Sequence, residues 1–108
     1  MGLSLSDCFG SGAKVDSRTL TIYLGSLGLT TAQADNPDPD QIVAAIIINV
    51  KNKIPEDAES DPEAGVIIRP TTKTLFTRGD NVSQVGYSFD TTIYTPDPTP
   101  ELNARDVV

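Results

Sequence analysis

The amino-acid sequence predicts an all-β fold, a small antiparallel β-sandwich or partly open barrel of about five strands, and three observations carry that expectation. Short apolar stretches alternate with polar residues at a period of two. Acidic or proline-rich loops separate these stretches, as turns separate strands. No segment shows an uncontested helical period, so helices are not expected to form a second layer.

The elements follow in order. Residues 1–16 mix Gly, Ser and scattered apolar residues without a sustained period, which predicts a flexible or extended N-terminal arm. Residues 17–95 are expected to form the single β domain. In its first strand Leu20, Ile22 and Leu24 alternate with Thr19, Thr21 and Tyr23 before Gly25 ends the run. The stretch TAQADNPDPD then reads as a loop, because each proline removes a donor and biases the residue before it away from helix.

The segment QIVAAIIINVKNKI, residues 41–54, carries two opposed signals. Asp38-Pro39-Asp40-Gln41 can cap a helix, and Ile42, Val43, Ile46, Ile47, Val50 and Ile54 recur near helical spacing. Against this, every even position from Ile42 to Val50 is apolar, and the β-branched run Ile46-Ile47-Ile48 loses side-chain freedom in a helix. The balance favours a strand.

PEDAESDPEAG is an acidic loop, and VIIRP after it is a short strand that Pro70 pushes toward a sheet edge. TTKTLFT resumes extended structure. Val85, Tyr87, Phe89, Thr91 and Ile93 then mark one face of the clearest strand in the chain. Between these two strands, Arg78-Gly79-Asp80-Asn81 contains a tripeptide that adhesion receptors read on some extracellular proteins. A hairpin turn explains it without a receptor, since Gly beside Asp or Asn supplies the positive φ such turns need. Residues 96–108 close the chain with Pro96, Pro98 and Pro100 at alternate positions, which predicts a proline-rich extended C-terminal arm.

Composition limits what this domain does. Fifteen acidic residues against eight basic ones give a formal charge of −7, which repels phosphate backbones and anionic membranes, so neither nucleic acid nor a membrane is an expected partner. The longest apolar run, Ile42 to Ile48, is too short to span a bilayer, and no export signal is expected from the opening residues. A single cysteine, Cys8, cannot close a disulfide within the chain, and its neighbour Asp7 opposes thiolate formation. Histidine is absent, as are P-loop and dinucleotide fingerprints. The sequence supports no catalytic residues, no metal ligands and no cofactor, and the expectation is of a protein that is not an enzyme.

Three local matches have bland explanations. Asn81-Val82-Ser83 fits a glycosylation acceptor and the first six residues fit a myristoylation pattern, but both patterns are short enough to arise by chance. Asn36, Asp38 and Asp40 are spaced like the start of a calcium loop, yet Gln41 stands where the turn needs Gly and Ile47 where the closing Glu belongs. Glu56, Asp57, Glu59, Asp61 and Glu63 form a second acidic cluster that reads as a solvated loop.

One pattern runs through most of the chain: GSGA, TLTIYLGSLGLT, IVAAIIINVKNK, TKTLFTRGDN, YSFDTTIYTPDP and LNARDVV. In these stretches the sequence resembles small virion-associated proteins of cyanobacteria and their phages. The resemblance implies a structural part of a phage particle, in capsid decoration or cement, tail or baseplate, located in the virion, with the cytoplasm as the alternative. Its partners would be other virion structural proteins and further copies of itself. Leu102, Val107 and Val108 are the apolar residues that a neighbouring subunit is expected to bury. A reading from another class is a free-standing β module that binds carbohydrate or a divalent cation through the acidic loops or through Tyr23, Tyr87 and Tyr94.

Overall fold

Asp38 decides the centre of the molecule. Its side chain accepts a hydrogen bond from the Asp40 backbone N–H at 2.9 Å, Pro39 opens the first turn, and Lys51 and Lys53 stand in the last turn beside the free carbonyls. These signals start and end an α-helix over Pro39–Lys53, and the β-branched run inside it does not prevent it. The helical cost of Val and Ile is under about 1 kcal/mol each, while Asp cap, proline start and dipole-matched charges all act on one element. The strand expected over residues 41–54 is therefore a helix.

The computed structural model describes residues 2–96 and 101–108. In chain order it contains α1 (Leu5–Phe9), β1 (Lys14–Asp16), β2 (Thr19–Thr21), α2 (Thr31–Asp35), α3 (Pro39–Lys53), β3 (Val66–Arg78) and β4 (Val82–Ile93), with short 3-10 turns at Leu24–Leu27, Ala58–Ser60 and Ala104–Asp106. The four strands form two separate two-stranded antiparallel sheets, β1 with β2 and β3 with β4. This overturns the all-β expectation: 34% of the structure is helical, and no sandwich or barrel forms among the described residues. The physical reason lies in the caps. Ser4 and Thr30 each make a reciprocal capping box, with Asp7 and Gln33, that starts a helix where the apolar pattern alone suggests none.

The first expected strand survives only as β2. Ser17 and Arg18, at φ 49° and 65°, turn the chain back onto β1, and residues from Leu24 onward coil into a 3-10 turn. VIIRP and TTKTLFT are one strand, not two. Pro70 stands inside β3 opposite Phe89, where a two-stranded sheet has no third strand to need its missing donor. The turn beyond Arg78 is where the sequence places it, with Gly79 at φ 56° and Asn81 at φ 61°.

Residues 5–9 of the expected N-terminal arm form α1, which packs against α3. In the expected C-terminal arm, Pro98 and Pro100 lie outside the described residues. The Val108 N–H donates to the Tyr94 carbonyl at 3.0 Å, and the Tyr94 N–H donates to the Gly65 carbonyl at 2.9 Å. Val107 and Val108 lie so close to Gly65 that a side chain at this position would strike both. The core is small: Leu27, Ala45, Val50, Ala58, Ala64, Ile67 and Ile68 are the buried apolar residues among those described, and three of them are alanines.

Two predictions follow from these local causes. Replacing Asp38 by Ala should lower stability by about 1 kcal/mol, read as a shifted urea midpoint with unchanged slope. A Cβ at Gly79 would meet no atom within 4 Å, so the cost expected of a substitution there is that of the left-handed backbone. Gly79→Val should destabilise by about 1–2 kcal/mol, whereas Asp80→Asn should leave the midpoint in place.

Candidate interaction surface

The β3–β4 hairpin has one apolar face, and a bulge keeps it on one side. Pairing passes from Pro70 opposite Phe89 to Lys73 opposite Tyr87, so β3 carries one extra residue there. Directly opposed residues share a face, and the extra residue shifts β3 from even to odd numbering on that face. Val66, Ile68 and Pro70 are thereby continued by Lys73 and Leu75, beside Ile93, Thr91, Phe89, Tyr87 and Val85 of β4.

Only the root of this face is covered. Ile68 on this face and Ile67 on the other are buried at the root, whereas every residue of β3 from Thr71 onward is exposed. Further out, α3 lies beside the face and leaves an open cleft of about 530 Å³ lined by Ala44, Ile47, Ile48, Lys51, Tyr87 and Phe89. Beyond the cleft Leu75 is 69% exposed and Tyr87 64%. On α3 itself, Val43 and Ile48 remain 56% and 47% exposed, so a helix with apolar residues around most of its circumference is covered only in part. Each strand also keeps one outer edge without a strand partner among the described residues, a row of backbone groups open to pairing.

Side chains on the hairpin are held in place. Lys73 Nζ lies 5.6 Å from the centroid of the Tyr87 ring, Arg78 Nη1 donates to Gln84 Oε1 at 2.9 Å, and the Phe76 ring covers Gly86 on the opposite face. At the root, Arg69 clamps the acidic loop to β3. Its guanidinium donates to both carboxylate oxygens of Glu59 and to the carbonyls of Pro55 and Glu56 at 2.8 and 3.3 Å. The Arg69 hydrogen bond is the main cause holding the Glu59 carboxyl below its ordinary range.

Charge divides along the same line. The hairpin, residues 66–93, carries three cations, Arg69, Lys73 and Arg78, against Asp80 and Asp90, a net +1. The remainder of the chain carries five cations against thirteen carboxylates, a net −8.

The residues singled out in the sequence are scattered. Leu102 is exposed, Val107 is half-buried against Gly65, and Val108 stands beside it. Cys8 lies on α1, its thiol pKa pushed up by burial and then by Asp7. Among the described residues no three His, Cys, Asp or Glu side chains converge to hold a metal ion. Tyr87 lines the cleft, while Tyr23 lies against Gly12 and Tyr94, just past β4, bonds through its backbone to Gly65 and Val108. The surface made by Ile47 and Ile48 with Tyr87 and Phe89 was not singled out by the sequence, because the bulge and the helical form of residues 39–53 are both needed to bring its parts together. Among the described residues no helix is long and apolar enough to cross a membrane. Comparison with known protein families, curated proteins and solved structures finds no match.

The Arg69 clamp sets a pH dependence. A carboxyl whose pKa is depressed on folding adds stability that is present above its unfolded value, about 4.3, and is lost as pH falls through the folded value. Glu59→Gln should therefore lower the thermal midpoint at neutral pH, and the gap to the wild type should close as pH drops below about 4. A constant gap across that range would assign the effect to something other than this carboxylate.

Proposed function

We propose that the chain is a non-enzymatic structural component of a phage particle, of the capsid-decoration, tail or baseplate kind, that acts through subunit contacts. One observation carries this reading: the chain exposes far more surface than its mass requires. A compact monomer of this mass has an accessible surface of about 5,800 Å². This chain has 8044 Å². Its radius of gyration is 16.2 Å, against about 13 Å for a compact domain of the same length.

The excess of about 2,200 Å² exceeds the roughly 800 Å² that each partner contributes to one standard protein interface. The hairpin and α3 expose Leu75, Val85, Tyr87, Val43 and Ile48, whose covering by a neighbour would be favourable. The resemblance to virion-associated proteins of cyanobacteria and their phages supports the same reading and suggests the particle as the setting.

Sedimentation velocity tests the proposal. The wild type should form species heavier than a monomer, with a population that rises with concentration. Leu75→Ser combined with Tyr87→Ser removes exposed apolar surface, so it should keep the far-ultraviolet circular dichroism of the wild type and sediment as a monomer. A wild type that stays monomeric at every accessible concentration, and does not bind particles, would overturn the assignment.

A further inference from the structure

We infer that the partner on the hairpin is a second copy of this chain in head-to-tail contact, with the distal hairpin of one subunit seated on the α2–α3 corner of the next. The inference rests on the assembly reading above and names its partner. Charge complementarity selects the occupant. The hairpin carries +1 and the rest of the chain −8, so two hairpins laid side by side bring cations together, whereas a hairpin on a neighbouring body meets opposite charge.

The local chemistry matches at both ends. On the hairpin, Lys73 shares the face of the exposed Leu75 and Tyr87, Arg78 stands on the other face at the tip, and neither cation has an ion-pair partner among the described residues. At the corner, Asp35 ends α2, Asp40 lies in the first turn of α3, and the exposed Val43 stands one turn further along. Asp35 and Asp40 likewise have no ion-pair partner among the described residues. The other acidic loop is a poorer seat, because Arg69 already occupies Glu59.

Reach and area agree with this arrangement. The exposed part of β3, residues 71–78, extends on the order of 25 Å, enough to cross from one small domain to the next. A head-to-tail contact uses two different patches on every subunit, and two standard patches of roughly 800 Å² account for most of the excess surface. Such a contact closes into a ring or runs on as a filament, depending on the rotation between copies.

Charge reversal at the two patches separates this geometry from every other self-association. One variant carries Lys73→Glu and Arg78→Glu, the other Asp35→Lys and Asp40→Lys, and sedimentation reads their self-association alone and mixed. Each alone should associate at least about tenfold more weakly than the wild type. In a mixture, acidic hairpins meet basic corners and native hairpins meet native corners, so association should return, as it should in a chain that carries all four substitutions. Circular dichroism of each variant confirms the fold. If the corner variant assembles like the wild type, the hairpin contacts something other than this corner, and the inference fails while the assembly reading stands. If mixing and the fourfold variant both fail to restore association, the head-to-tail pairing is wrong. A wild type that binds particles but never itself removes the second copy as partner, and a wild type that does neither removes both readings together.

Discussion

The packing of α3 against the root of the β3–β4 hairpin is the contact on which the rest of the structure depends. Ile67 at that root packs with Ala58 and Ala64 of the acidic loop and with Ile54 at the end of α3, and Ile68 and Val50 are buried as well. Arg69 ties the loop to the strand from outside, and the last residues of the chain lie down beside Gly65 at the same place. The core is thus gathered at one end of a long hairpin. From Leu75 to the turn and back to Val85, beyond the cleft beside α3, the strands pair with each other and stay exposed.

A two-stranded ribbon of that length is marginal by itself in water, since it has two open edges and one apolar face without cover. The bulge after Pro70 makes the apolar face continuous from root to tip instead of letting it change sides. Such continuity has no benefit to a solvated loop. It extends the surface that begins beside α3 outward to Leu75 and Val85, which stay exposed at 69% and 46%. The same logic applies to α3, whose Val43 and Ile48 face solvent on a helix otherwise rich in apolar residues. The folded chain is in this sense an incomplete core that the proposed neighbour would complete.

Much of the hairpin was legible in the sequence. The alternation from Val85 to Ile93, the turn at Gly79 and Asn81, and the edge character implied by Pro70 all have local physical causes that act alike with or without tertiary context. The centre of the chain was harder, because Ile42 to Val50 satisfy a period of two and a period near 3.6 at once. The deciding information lay just outside that run, in Asp38 and Pro39, and in the lysines at the far end. Capping boxes at Ser4 and Thr30 were missed for a related reason: a five-residue helix has too few turns to show a period, and only its cap residues reveal it. The apolar surface could not be read from sequence at all, since it joins residues 47 and 48 to residues 87 and 89 through a register that depends on one extra residue in β3.

Hydrogen–deuterium exchange followed as a function of protein concentration tests the incomplete-core account most directly. Backbone amides of the distal hairpin, residues 73–77 and 83–87, should exchange quickly in dilute protein and slow as concentration rises, while those around Ile67 and Val50 stay equally protected throughout. Distal amides that exchange at one rate across the whole range, with the root equally indifferent, would contradict it.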